Sequence, residues 1–282
     1  MSLEQLPWYE RANLDIQEFS AAGVRTFAVV EGKPDSFPVI FLHGLPGGAF
    51  IWTSVIKALG RSRLAIAPDL PGWGKSFSRF AKAPPDLSAE GMQRWLKGLL
   101  AAQSIQRFDL VAHGDSSWPA LDLLLTDPAR VRRLSLISAP LWESPARGGV
   151  RSKLFGKAKW SPKTISRWVQ QNAALSESAK TESQLQFAQL LGTEQGTRTS
   201  PTLAEAGTAD RIRRYRAALK EYQGAKLLIW GRNDPRAAEK NIAELQAEVE
   251  DADIQRIDNA GHFPMLDAPD EVATLEKEFL GE

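Results

Sequence analysis

Pro38-Val39-Ile40-Phe41-Leu42-His43-Gly44-Leu45-Pro46-Gly47-Gly48 is the stretch on which the fold is read. Its first five residues are apolar throughout, and the run then breaks into a turn rich in Gly. A short apolar run of this kind is the pattern of a strand buried on both faces. The Gly-rich turn leaves backbone N–H groups free to point at a negative oxygen.

Working outward, the same rhythm recurs. Val24–Val30, Leu64–Pro68, Phe108–Ala112, Leu134–Ile137, Lys226–Trp230 and Ile254–Ile257 read as further strands. Amphipathic stretches lie between them. Ala89–Ala102 begins after Ser88, a good N-cap, with Glu90 in its first turn. Ala120–Leu125, Ala237–Glu248 and Glu271–Leu280 are further helices. Alternation of this kind predicts an α/β fold with a mostly parallel, doubly wound sheet.

Trp142 to about Tyr222 breaks the rhythm, with no convincing strand and helical pieces around Ser161–Leu175 and Ser183–Leu191. It reads as a helical insertion. The expected organisation is therefore a core over 1–141, an insertion over 142–222 and the rest of the core over 223–282. Residues 142–180 carry eight basic and two acidic side chains. Such a run is most simply a solvated face, and a sharper reading makes it attract an anionic partner.

Composition narrows the chemistry. The 282 residues include no Cys, which excludes disulfides, thiolate nucleophiles and Cys-ligated metals. Three His are present, so imidazole chemistry rests on His43, His113 or His262. The net charge of +1 gives no argument for nucleic acid. The N-terminal stretch has no apolar targeting region, and no apolar run approaches a membrane span. The expectation is a cytoplasmic protein acting on a small apolar molecule, with no cofactor, metal, nucleic acid or membrane partner. The oligomeric state stays open.

Three more loops follow strands. One is Ala67-Pro68-Asp69-Leu70-Pro71-Gly72-Trp73-Gly74-Lys75-Ser76. Another is Leu228-Ile229-Trp230-Gly231-Arg232-Asn233-Asp234-Pro235, and the last is Asn259-Ala260-Gly261-His262-Phe263-Pro264. A carboxylate after one strand and a His after the next can meet at the carboxyl edge of the sheet. Asp234 would there orient the His262 imidazole.

With these four motifs in this order, the whole chain resembles the α/β-hydrolase fold, in the branch of epoxide hydrolases, haloalkane dehalogenases and simple esterases or lactonases. The resemblance implies an oxyanion hole with the Leu45 N–H, an acid at Asp234 and a base at His262. It implies a cap at 142–222. It also implies a nucleophile at a sharp strand-to-helix elbow flanked by small residues. Here the strand runs into Ala112-His113-Gly114-Asp115-Ser116-Ser117-Trp118. The ungapped register puts Gly114 at the nucleophile, and glycine has none to offer. A slip of one residue would use Asp115, and a slip of two would use Ser116. A native nucleophile replaced by glycine is a further alternative.

In this family the His before the elbow packs and hydrogen-bonds, so His113 reads as structural. His43 reads first as a loop-ordering residue and otherwise as a substrate contact. Trp118, with Trp52, Trp73, Trp160 and Trp168, is a candidate wall for an apolar pocket. Tyr215-Arg216-Ala217 resembles the second of two cap tyrosine motifs that protonate an epoxide oxygen, while the first is missing.

The expected function is hydrolysis of a small apolar ester, lactone or epoxide by a His262–Asp234 dyad. One alternative is a lyase or cofactor-independent oxygenase-like enzyme using the dyad as base. Another is an inactive ligand-binding pseudo-hydrolase.

Overall fold

A computed structural model describes residues 8–45, 47–76, 85–142, 167, 171–172 and 208–281. The insertion expected at 142–222, with its two helical pieces, lies for most of its length outside the described residues.

Eight strands form one sheet: β1 (Ile16–Ala21), β2 (Val24–Glu31), β3 (Pro38–Leu42), β4 (Leu64–Pro68), β5 (Phe108–His113), β6 (Val131–Ile137), β7 (Ala225–Gly231) and β8 (Asp253–Ile257). Their order is β1-β2-β4-β3-β5-β6-β7-β8. β1, β2 and β4 pair antiparallel, and every other pairing is parallel. The centre is the most apolar part because helices cover both its faces. β5 is buried along its whole length, and β3 everywhere except Pro38.

β1 is absent from the sequence reading. Its residues alternate weakly and most are exposed, so it has little apolar pattern to detect. It is made by a tight hairpin at Ala22-Gly23, where φ is 49° and 79°. Two adjacent positive φ values suit the twist of a two-residue hairpin.

Among the described residues, the helices with defined bounds are α1 (Trp8–Arg11), α2 (Thr53–Leu59), α3 (Ala89–Ala102), α4 (Ser117–Thr126), α5 (Ala209–Glu221), α6 (Glu239–Glu248), α7 (Pro264–Asp267) and α8 (Pro269–Phe279). α2 packs with α8, while α3, α4, α5 and α6 pack in succession. Ser88 caps α3 by accepting from the Gly91 N–H, 3.1 Å away. α2 and α5 extend the sequence reading, which marked neither. No helix among the described residues is long and apolar enough to cross a membrane.

Candidate active site

β5 ends in the turn that decides the register. His113 is extended, and Gly114 then turns to φ +56° before the chain enters α4. That left-handed conformation is costly for a residue with a Cβ. Space is not the constraint. A Cβ built on Gly114 would sit 3.6 Å from both Gly44 Cα and His262 Nε2, ordinary contact distances. The apex is therefore Gly114, with neither Asp115 nor Ser116 in its place. Ser116 is wholly buried and its hydroxyl donates to the His43 carbonyl, so it ties two loops together. Asp115 is half-buried one residue past the apex, where its charge favours protonation of His262.

The His262 and Asp234 side chains meet, with Nδ1 2.8 Å from Oδ2. Their loops are zipped together by backbone bonds from Arg232 N to Ile257 O and from Asn233 N to Ala260 O, each 2.9 Å. Gly231 permits the crossing, because a Cβ there would fall 2.2 Å from the Ala260 carbonyl oxygen. The other carboxylate oxygen of Asp234 accepts the Arg236 N–H at 2.9 Å. Burial alone would raise the Asp234 carboxyl. Its interactions with His262 and Arg236 outweigh that and hold it below the ordinary carboxylate range.

Arg236 was not singled out in the sequence, yet its guanidinium lies against the reactive face of the imidazole. Its Nη1 is 2.6 Å from His262 Nε2, and its Nη2 donates to Asn172 Oδ1 at 3.0 Å. A guanidinium is always a donor, so Nε2 accepts and the Nδ1 proton faces Asp234. The imidazole is then neutral. Burial lowers its pKa, Arg236 lowers it further, and Asp234 and Asp115 pull the other way. Asn172 also accepts the His262 backbone N–H at 2.7 Å. The available signal was a cation two residues after the acid. Asn172 gave none, being a lone amide far along the chain.

The other two imidazoles serve the backbone. His43 accepts the Leu70 N–H at Nε2, 2.9 Å away, so its Nδ1–H donates to the Gly44 carbonyl at 3.0 Å. It is completely buried, and both its ring nitrogens are held by backbone groups of the two loops. His113 Nε2–H donates to the His262 carbonyl at 2.8 Å and braces the base loop. Below the Gly-rich turn, buried Asp69 accepts the Ala49 and Lys75 N–H groups at 2.8 and 2.9 Å. Leu45 is buried, and among the described residues its N–H meets no acceptor.

Tyr215 is fully buried on α5, donates to Asp122 Oδ1 on α4 at 2.9 Å, and stacks on Trp118 with ring centroids 5.5 Å apart. The hydroxyl of Tyr215 joins two helices. Trp118 shares that packing, and Trp52 and Trp73 are core residues. Trp160 and Trp168 lie outside the described residues. Among the described residues no group of His, Asp and Glu could hold a metal ion.

An acid–base pair, an elbow and a Gly-rich turn at the carboxyl edge of such a sheet define a class, and the comparisons agree. The model of the Alpha/beta hydrolase family matches residues 39–275, and the chain belongs to that family. It is 26% identical over 266 residues to the sn-1-specific diacylglycerol lipase ABHD11 of Mus musculus, covering 90% of this chain and 84% of that protein. It is 33% identical over 129 residues to a 2-hydroxymuconate semialdehyde hydrolase of Pseudomonas sp. (strain CF600), spanning 44% of this chain and only 43% of that relative's length. Among solved structures, a putative lipase from Acinetobacter baumannii superposes with a TM-score of 0.80, at 20% identity, covering 99% and 96% of the two chains. The 2-hydroxy-6-oxo-6-phenylhexa-2,4-dienoate hydrolase of a Rhodococcus strain gives 0.79, also at 20% identity, covering 95% and 100%.

Proposed function

We propose that the protein hydrolyses a small ester or lactone with water as the attacking group. One observation carries this reading: the point where a Cβ on Gly114 would lie is 3.6 Å from His262 Nε2. The space a nucleophilic side chain would fill is thus left beside an otherwise complete acid–base pair. A water there would give its proton to His262 as it attacks the carbonyl carbon, and Asp234 would stabilise the resulting imidazolium. The Leu45 N–H and the N–H of Asp115 would take the developing oxyanion. The hydrolase names of the relatives favour attack at a carbonyl. The engagement of Tyr215 with Asp122 weakens the epoxide reading.

One observation favours a second reading, a ligand-binding protein without turnover: Arg236 occupies the lone pair of His262 that water would need. The test is turnover of p-nitrophenyl butyrate by the unaltered protein, His262→Ala, Arg236→Gln and Gly114→Ser. Water attack gives slow turnover with no burst, lost in His262→Ala. A burst is then expected only in Gly114→Ser, where the introduced hydroxyl can form an acyl-enzyme. Turnover that survives His262→Ala overturns the first reading. Absence of turnover in both the unaltered protein and Arg236→Gln establishes the second.

A further inference from the structure

The Arg236 guanidinium is a cation held by neutral partners. Its Nη1 meets a neutral imidazole and its Nη2 an amide oxygen. Among the described residues no carboxylate pairs with it through its side chain, although Arg236 is an exposed residue at the mouth of the dyad. Its backbone is nevertheless fixed. The N–H is held by Asp234 Oδ1 at 2.9 Å, and the carbonyl accepts from Trp142 Nε1 at 2.8 Å. The anchor is rigid, and only the side chain need move.

A carboxylate adds its own charge to that of the guanidinium and can take two of its N–H groups in parallel, which neither the imidazole nor the amide oxygen can do. An incoming carboxylate would therefore outcompete His262 Nε2 and Asn172 Oδ1 for the same donors. The move would do two things at once. It would seat the anionic end of the ligand beside the Gly114 elbow, and it would return the Nε2 lone pair to the site.

We infer that Arg236 is a latch on the base, opened by a ligand that carries a carboxylate. The latch rests on reading His262 as the base. It links recognition to activation, because without the anion the imidazole stays engaged. Among the described residues, the charged and titratable groups around His262 are Asp234, Arg236, Asp115 and His113, and of these Arg236 is the cation, carried on a fixed backbone.

With only three His in the chain, ring-nitrogen NMR on protein carrying ¹⁵N-labelled histidine reads the latch directly. Sodium butyrate is the probe, butyramide its neutral isostere, and buried His43 the internal control. The expected result is a saturable movement of the His262 Nε2 signal with butyrate, none with butyramide, and none at His43. In Arg236→Gln the butyrate affinity should fall about tenfold to a hundredfold, and Arg236→Lys should retain part of it. An unmoved His262 signal overturns the proposal, as does equal binding in Arg236→Gln or an equal response to butyramide. The measurement needs no turnover, so its failure is separate from failure of the hydrolytic reading.

Discussion

Nη1 of Arg236 lies 2.6 Å from Nε2 of His262, so the lone pair a base would offer to water already accepts a hydrogen bond. Freeing it should speed any reaction that depends on it. Arg236→Gln is expected to turn over a neutral ester about tenfold faster than the unaltered protein, the lower end of what a charge-assisted hydrogen bond contributes. Initial rates on p-nitrophenyl butyrate check this.

Gly114 combines φ +56° with ordinary contact distances where a Cβ would go. Gly114→Ala should therefore fold without a clash but pay backbone strain of about 1–2 kcal/mol. Urea unfolding should show a lower midpoint at an unchanged slope. A loss of several kcal/mol would mean that the site lacks the room found here.

Tyr215 and Asp122 join α5 to α4 through a buried hydrogen bond. Tyr215→Phe should cost about 1–3 kcal/mol, since it leaves a buried acceptor less well satisfied. It should leave the kcat for ester hydrolysis unchanged. A fall in kcat at full stability would return the hydroxyl to the chemistry.

Buried groups set the pH dependence of stability. Burial lowers the pKa of His43 from 6.5 to about 4, and lowers those of His113 and His262 as well. The unfolded chain protonates these groups first, so stability is lost as the pH falls below 6.5 and towards 4. The His43 share alone is about 3 kcal/mol. Thermal melts between pH 7 and 4 should show the decline.

Glu276 acts in the opposite sense. It is wholly buried on α8 and accepts from Ser135 Oγ at 2.5 Å, and burial raises it from 4.5 to about 7. The unfolded chain ionises it first, so its contribution is full below pH 4.5 and is lost as the pH rises to about 7. Glu276→Gln, which cannot ionise, should be more stable than the unaltered protein at pH 8 by up to about 3 kcal/mol. It should also flatten the fall between pH 5 and 7.

Most of the fold is written locally. The central strands announce themselves because burial on both faces forces unbroken apolar runs such as Val39–Leu42. Turn glycines mark where those runs stop. β1 was silent because an edge hairpin exposed to solvent needs little apolar pattern. α5 went unmarked because it fell within the stretch read as an insertion, where Tyr215 was weighed for its hydroxyl and not for its place on a helix face. The order of the four loops placed Asp234 and His262 as partners, since consecutive parallel strands bring their carboxyl ends to one edge.

The sequence by itself determined a doubly wound sheet, an acid and a His at its carboxyl edge, and the absence of a thiol. Only the tertiary structure decided that the elbow apex is Gly114, because a register is a matter of dihedral angles and of which atoms lie beside the imidazole. Only it decided which backbone groups His43 and His113 hold, and that Arg236 rests on the base. Those are contacts between atoms far apart along the chain or turned by a single side-chain rotation, and no spacing of residues encodes them.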